Sequence, residues 1–116
     1  ADDRGNVLIR GILGAAREAA LAARCVLVTV EERVETLAAP MNAVVLPHWA
    51  VTAVAVVRGG AWPSYAQGCY QRDNAFYRQW DEIARDRAGF LAWIDRHVHG
   101  SRDHREFLQG VRAEAA

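Results

Sequence analysis

The chain has 116 residues, 52% hydrophobic and 24% charged, which is the composition of one small globular domain rather than of a disordered segment. All 14 basic residues are arginine and 14 acidic residues balance them, so Schiff-base chemistry on lysine is excluded and no excess charge favours nucleic acid. The apolar runs are too short to span a bilayer.

The cysteines and the start of the chain give two further expectations. Cys25 opens an apolar run and Cys69 lies in a glycine-rich stretch. Two isolated cysteines are not a disulfide framework, so we predict a reducing cytoplasm, with Cys25 as a buried core thiol. The chain begins with Ala1 and its only methionine is Met41. We therefore expect further sequence upstream of this chain.

The first third of the chain predicts a strand, a helix and a second strand. Residues 7–9 are a short apolar run, residues 14–24 are alanine-rich with helical spacing, and residues 25–30 are apolar and β-branched. This order is typical of a βαβ unit, so we predict that the two strands are parallel in one sheet. The uninterrupted second run predicts a strand covered on both faces.

The middle of the chain is more ambiguous. Residues 44–46 form a third short apolar run, and Pro47 then favours the first turn of a helix over residues 48–55. Periodicity alone does not separate helix from strand over residues 50–57. Several glycines and a proline follow, so residues 58–72 are predicted to be a loop.

The C-terminal part is predicted to be helical. Asp73 and Asp86 stand where each would cap a helix, and a third, weaker helix is predicted over residues 103–113. The side chains expected to face inward are Phe76, Tyr77, Trp80, Ile83 and Ala84 on the first helix and Phe90, Leu91, Ile94 and Val98 on the second. We therefore divide the chain into a βαβ-type core (5–57), a loop (58–72), a helical hairpin (73–98) and a tail (99–116).

Two adjacent carboxylates are the first candidates for a site. Glu31 and Glu32 follow the second predicted strand, at the carboxyl end where open α/β sheets bind ligands. The alternative interpretation is that both are solvated acids that end a strand.

The loop after residue 57 supplies the second set of candidates. Gly59 and Gly60 allow close approach of the backbone to a neighbour, while Ser64 and Tyr65 offer hydroxyl groups. Such a loop suits a ligand or a contact between protein chains, or equally a well-packed structural turn. It matches neither a Walker A loop nor a dinucleotide fingerprint.

The histidines do not predict a metal site. His97 and His99 are two residues apart and do not share a helix face, and no cysteine accompanies them or His104. His48 stands beside Pro47 at a predicted helix start, where a surface position is the simpler interpretation.

Two stretches resemble the A subunit of the glutaconate-type CoA-transferases, within the family I (3-oxoacid-type) CoA-transferases. Residues 39–49 read APMNAVVLPHW, and residues 59–77 read GGAWPSYAQGCYQRDNAFY. The similarity extends from about Gly5 to His97. The chain departs from the family at Gln67, where histidine is usual, at Cys69, where an aromatic residue is usual, and at Arg58, which is often proline.

The resemblance implies an open α/β sandwich with a largely parallel sheet, here a C-terminal fragment ending in a helical hairpin. It implies transfer of CoA from an acyl-CoA to a carboxylic acid in the cytoplasm, with a CoA thioester as substrate and no bound cofactor, nucleic acid or membrane. The nucleophilic glutamate belongs to the partner B subunit, so no catalytic residue is assigned in this chain. The residues that the resemblance and the pattern suggest for substrate or subunit contact are Glu31, Gly59, Gly60, Ser64, Tyr65, Tyr70, Arg72 and Asn74.

Two other functions remain open at this point. Relatives within the same family hydrolyse CoA thioesters or open rings of steroid-degradation intermediates, with water as the acceptor. The second alternative is a truncated, non-catalytic remnant that never meets substrate.

Overall fold

The computed structural model describes residues 1–114 and contains two compact units. The first comprises Ala1–Gly60 together with Ala66–Tyr70, and the second comprises Ala61–Tyr65 and the chain from Gln71 onward. The predicted loop over residues 58–72 therefore contributes to both units. The last two residues of the predicted tail lie outside the described residues.

The first unit contains four short strands and one helix, and it confirms the α/β class. The strands are β1 (Val7–Ile9), β2 (Leu27–Val30), β3 (Val44–Leu46) and β4 (Ala53–Val56), and helix α1 is Ala16–Ala22. β1 pairs antiparallel with β3, so that Val7 opposes Leu46. β2 pairs parallel with β4, so that Leu27 opposes Ala53.

The predicted βαβ unit is wrong, although its three elements exist. β1 and β2 lie in different two-stranded sheets within the described chain. Val7 and Leu46 are each only 4% exposed, so the β1–β3 pair buries apolar side chains of the first unit. β1 thus pairs with β3, where both side chains are buried, and not with β2, the next strand along the chain.

The outer surface of β2 is open, contrary to the sequence prediction. Exposed and half-buried side chains alternate along the strand, and Leu27 is 74% exposed. Cys25 is also exposed, so the prediction of a buried core thiol is wrong. A run of apolar residues thus gives the strand but does not show that both faces are covered.

The ambiguous segment after Pro47 is a short turn followed by a strand. A 3-10 turn over His48–Ala50 ends in a bond from the Val51 amide to the His48 carbonyl, and β4 follows. The helix favoured over residues 48–55 is therefore wrong beyond the first turn, and the strand alternative left open over residues 50–57 holds for Ala53–Val56. The β-branched residues of β4 instead extend the ladder with β2, which the bond from the Val57 amide to the Val30 carbonyl (2.9 Å) continues.

The buried carboxylate of Asp2 anchors the start of the chain. It accepts hydrogen bonds from the backbone amide of Arg4 and from the backbone and side-chain amides of Asn6, at 2.9–3.0 Å. The side-chain amide of Asn6 is the largest cause that holds the pKa of Asp2 below its ordinary value. The side-chain oxygen Oδ1 of Asn6 accepts a hydrogen bond from the His48 backbone amide at 2.9 Å, which ties this turn to the segment after β3.

The second unit is helical, and its helix starts are as predicted. Helix α2 (Asn74–Ile83) is capped by Asp73, whose carboxylate accepts from the Phe76 amide at 2.9 Å. Helix α3 (Arg87–Ile94) is capped by Asp86, which accepts from the Gly89 amide at 2.8 Å. A π-helical segment, Asp95–His99, extends α3. Helix α4 is His104–Glu114.

Aromatic side chains form the centre of this helical unit. Phe76 is 5% exposed and its ring centroid lies 4.4 Å from that of Trp62, 5.9 Å from Trp80 and 6.1 Å from Trp93. The predicted burial of Phe76 is confirmed, whereas Trp80 is only half-buried. These rings contribute large apolar contact areas to a small core.

The inward face of α3 differs from the prediction. Leu91 and Val98 are 46% and 45% exposed, and their predicted inward orientation is wrong. Trp93 and the buried His97 face the core instead, with ring centroids 4.8 Å apart. The wider π-helical turn after Ile94 changes the angular position of each following side chain, so α-helical spacing does not hold there.

Candidate functional site

Glu31 lies where the sequence predicts, directly after β2 at the carboxyl end of the parallel β2–β4 pair. Its side chain is half-buried, whereas Glu32 is exposed. The Glu32 carbonyl oxygen accepts a hydrogen bond from the amino terminus of Ala1 at 2.9 Å. Of the two neighbouring acids, Glu31 is therefore the one directed toward the interior of the first unit.

The carboxylate of Glu31 joins two segments that are distant in sequence. One oxygen, Oε2, accepts from the Gly59 amide at 2.7 Å, and the other, Oε1, accepts from the Tyr70 hydroxyl at 2.7 Å. These short distances are typical of hydrogen bonds to a charged acceptor. Because both oxygens are engaged, the geometry favours a positioning role for Glu31 over nucleophilic attack.

Gly59 reaches Glu31 because its backbone adopts a conformation that favours glycine. Its φ is +75°, in the left-handed region, and the residue is buried. Gly60 has a different reason to be glycine, since a Cβ there would lie 2.9 Å from the Val57 carbonyl oxygen. The local turn thus accounts for both glycines without a ligand.

Tyr70 closes a short turn that belongs to the same unit. The amide and carbonyl groups of Ala66 and Tyr70 exchange two hydrogen bonds of 3.1 Å, and the Cys69 amide donates to Ala66 at 2.8 Å. Gly68, at the turn, has a φ of +84°. Glu31 therefore fixes one end of the whole 66–70 turn through the Tyr70 hydroxyl.

The remaining four candidates belong to the second unit, and their contacts are described separately. The Ser64 amide donates to the Ala61 carbonyl at 2.8 Å within a turn, and Tyr65 is half-buried. The Arg72 guanidinium lies 4.1 Å from the centroid of the Tyr77 ring, a cation–π contact. Asn74 is exposed at the first position of α2.

An open groove of about 640 Å³ in the first unit was missed by the reasoning from sequence. Residues 9–11, Leu13, residues 38–44, Gln67 and Gly68 line it. Its volume lies within the range of small-molecule sites, about 300–1,000 Å³. The sequence signal for it was a lone arginine, Arg10, in a stretch from Gly5 to Ala16 that contains no acid.

Two of the histidines lie beside carboxylate groups. His97 Nε2 lies 3.0 Å from a carboxylate oxygen of Glu114, and His99 Nδ1 lies 2.9 Å from Asp95. Across the described residues, no three His, Cys, Asp or Glu side chains are grouped so as to hold a metal ion. None of the helices in residues 1–114 has both the length and the apolar character needed to cross a membrane.

Two characterised proteins are similar to this chain in sequence. The A subunit of 3-oxoadipate CoA-transferase from Pseudomonas knackmussii is 60% identical over 107 residues, which are 92% of this chain and 38% of that protein. The A subunit of glutaconate CoA-transferase from Acidaminococcus fermentans is 32% identical over 68 residues, which are 59% of this chain and 21% of that protein. The chain thus spans about two fifths of the first relative's length. No protein-family model matches the chain.

Two solved structures resemble the fold. The crystal structure of glutaconate CoA-transferase from Acidaminococcus fermentans superposes with a TM-score of 0.85 and 31% identity, over 96% of this chain and 36% of that one. A variant of the decarboxylase AibA/AibB gives a TM-score of 0.62 and 31% identity, over 73% of this chain and 30% of that one. The fold of these described residues therefore recurs in proteins whose names denote two reaction types.

Proposed function

We propose that this chain, which is a homologue of CoA-transferase A subunits, forms part of the A subunit of a heteromeric enzyme that moves CoA from an acyl-CoA to a carboxylate. The observation that carries the proposal is the 60% identity to the A subunit of a 3-oxoadipate CoA-transferase, sustained over 92% of this chain. The TM-score of 0.85 to a glutaconate CoA-transferase supports it independently of the first relative.

For the acceptor we propose 3-oxoadipate or a closely related dicarboxylic acid. The relative at 60% identity carries 3-oxoadipate in its name, while the relative at 32% carries glutaconate. Both molecules have two carboxyl groups on a short carbon chain. One carboxyl group becomes the thioester, and the other stays free throughout the reaction.

In the proposed mechanism the nucleophile is a glutamate of the partner B subunit, which the family resemblance implies. Its carboxylate attacks the acyl-CoA thioester, which gives an acyl–glutamyl anhydride and free CoA thiolate. The thiolate then attacks the glutamyl carbonyl, which gives a glutamyl-CoA thioester and releases the first carboxylic acid. The acceptor carboxylate reverses these two steps and leaves as the new acyl-CoA, so that bonds and charges balance over the cycle.

The contribution that we propose for this chain is positioning. Glu31 holds the Gly59 amide and the Tyr70 hydroxyl, and it thereby fixes the 59–60 and 66–70 turns at the carboxyl end of the β2–β4 pair. Fixed backbone amides and a wall that excludes water favour attack on an acyl group, since a preorganised site need not reorganise as charge develops. Free, exposed thiols at Cys25 and Cys69 support a reducing compartment, which we propose to be the cytoplasm.

The test is a trapping experiment on the complex of the full-length A subunit containing this chain with its B subunit. The complex is incubated with an acyl-CoA and then with borohydride or hydroxylamine, and the modified residue is located by mass spectrometry. We expect the label on a glutamate of the B subunit, and a new CoA thioester when 3-oxoadipate is added. Glu31→Gln and Glu32→Gln serve as a matched pair.

Four results would count against the proposal. Label on Glu31 that is lost in the Glu31→Gln variant would place the nucleophile in this chain. Release of free CoA without a new thioester would indicate hydrolysis, and release of carbon dioxide from the acyl group would indicate the decarboxylase reaction type. A complex that takes up no label and forms no new thioester would fit a non-catalytic remnant.

A further inference from the structure

The groove described above is nearly free of charge. Its walls are mostly apolar, from Ile9 and Leu13 on one side and from residues 38–44 on the other. The amides of Asn42 and Gln67 are its neutral polar side chains, and Arg10 is its one charged side chain among the described residues. A single cation in an apolar groove favours a ligand with one anionic group on a short carbon chain.

No carboxylate among the described residues forms an ion pair with the Arg10 guanidinium. Within residues 1–114, the ion pairs of the chain involve Arg33, Arg96, Arg102 and two histidines, and none involves Arg10. The planar guanidinium presents paired N–H donors that match the two oxygens of a carboxylate. Arg10 therefore retains its full capacity to bind an external anion.

The backbone around Arg10 is held in unusual conformations. Gly11 (φ +84°), Asn42 (φ +65°) and Gly68 (φ +84°) all line the same groove. Glycine adopts a positive φ without strain, so the strained position among these is Asn42, and strained backbone positions cluster where a structure holds ligands. The three positions come from three separate segments of the chain, so three positive-φ turns meet at the groove.

The position of Arg10 depends on the turn that Glu31 fixes. A Cβ atom at Gly68 would lie 3.3 Å from Nη1 of Arg10, so the guanidinium packs directly against the Gly68 backbone. Gly68 belongs to the 66–70 turn, whose Tyr70 hydroxyl donates to Glu31 at 2.7 Å. The hydrogen bond between Tyr70 and Glu31 thus fixes the turn against which the Arg10 guanidinium packs.

We propose that this groove binds the carbon chain of the dicarboxylic substrate and that Arg10 binds the carboxylate that does not react. This inference rests on the proposed CoA-transferase function and adds to it the residue that selects a diacid over a monoacid. The apolar lining contacts the methylene groups, and the guanidinium neutralises the distal charge.

The test compares two acceptors in the assembled enzyme of A and B subunits. 3-Oxoadipate carries the distal carboxylate, and 3-oxohexanoate carries a methyl group in its place. For Arg10→Met we expect kcat/KM to fall about 10- to 100-fold with 3-oxoadipate, mainly through KM, and to stay unchanged with 3-oxohexanoate. Arg10→Lys restores part of the loss. Arg17→Met, an exposed arginine of α1 outside the groove, is the matched control and changes neither value.

A binding measurement separates this inference from the proposed function. Calorimetric titration of adipate into the same complex should show binding that Arg10→Met weakens at least tenfold and Arg17→Met does not. If the enzyme transfers CoA but Arg10→Met affects both acceptors equally, or neither, the role of Arg10 is refuted while the transferase stands. If KM rises for the acyl-CoA donor alone, Arg10 binds a phosphate of CoA and the inference is also refuted. Arg10-dependent binding of adipate without any CoA transfer would refute the transferase and retain the groove.

Discussion

Replacement of Asp73 by alanine should destabilise the helical unit by about 1.5 kcal/mol. The carboxylate makes two hydrogen bonds, from the Phe76 amide at 2.9 Å and from the Trp62 indole Nε1 at 3.2 Å. Loss of an N-cap costs about 1 kcal/mol. The longer bond to Trp62 contributes about 0.5 kcal/mol, at the lower end for a net hydrogen bond. The sum lowers the folding equilibrium constant about tenfold and the melting temperature by about 6 °C.

The effect of charge at Asp73 is separable by pH. The pKa of Asp73 lies below its ordinary 3.8, chiefly because the Phe76 amide donates to the carboxylate, with the Trp62 indole as a further cause. A lowered folded pKa means that the ionised carboxylate stabilises the fold above pH 3.8, and that this contribution is lost as the pH falls through the folded value. Asp73→Asn retains a cap oxygen, so its smaller deficit, about 0.5 kcal/mol at pH 7, should shrink as the pH falls from 3.8 through the lower folded pKa.

The assay is urea unfolding followed by tryptophan fluorescence. Three tryptophans (Trp62, Trp80 and Trp93) report on the helical unit, where their rings contact Phe76. Asp81→Ala, at an exposed position later in the same helix, is the control and should lie within about 0.5 kcal/mol of the unsubstituted chain. An Asp73→Ala variant as stable as the Asp81→Ala control would refute the capping argument. A pH-independent deficit in Asp73→Asn would refute the assignment to charge.

Three further predictions concern other parts of the chain. Phe76→Ala, at a 5% exposed position, should cost about 3–5 kcal/mol, and Trp80→Ala, at a half-buried one, about 2 kcal/mol; equal losses in denaturant titrations would contradict the burial difference. Asp2→Asn should destabilise the first unit at neutral pH, and because the pKa of Asp2 is lowered, melts of variant and parent should converge below about pH 3.8. Glu31→Ala should lower the free energy of unfolding by about 2 kcal/mol and Tyr70→Phe by about 1 kcal/mol, and the loss in the double variant should be about 1 kcal/mol less than their sum. Strict additivity would show that the 2.7 Å hydrogen bond between Tyr70 and Glu31 does not contribute to stability.

Local signals in the sequence predicted the helical part well. Asp73 and Asp86 cap helices because a carboxylate at the end of a loop can accept a hydrogen bond from a backbone amide in the first helical turn. In both cases the donating amide lies three residues further along the chain. The inward face of α2 followed only in part from spacing, since Phe76 is buried and Trp80 is half-buried, whereas Ala84 is exposed. The prediction failed at Val98, which lies in the π-helical segment that no spacing rule anticipates, and at Leu91, which is exposed within the regular part of α3.

The strands show what local patterns leave undetermined. Apolar runs located β1, β2 and β3 to within two residues, but a run does not name its partner. Val7 pairs with Leu46, and Val28 pairs with Val54. The partners in each pair are far apart in the sequence, and tertiary packing brings them together. The run-based expectation that β2 is covered on both faces also failed, because what covers a strand lies elsewhere in the fold.

The candidate site was predicted in part for the same reason. The sequence placed Glu31 at the end of a strand and singled out the loop that contains Gly59 and Tyr70. It did not predict their hydrogen bonds, which span 28 and 39 residues. The family resemblance supplied Tyr70, which pattern alone did not. Arg10 went unnoticed because its groove is assembled from residues 9–13, 38–44 and 67–68, and the sequence does not show that these segments are neighbours.

The π-helical extension of α3 also limits which residue can occupy position 100. The Gly100 amide donates to the Asp95 carbonyl, five residues back, and the wide turn brings the Arg96 carbonyl oxygen against the Gly100 Cα. Gly100 has a φ of −75°, which any residue adopts, yet an added Cβ would overlap that oxygen. Homologous chains that keep this turn should therefore keep glycine at this position, and chains with a larger residue here should have lost the extra residue that widens it.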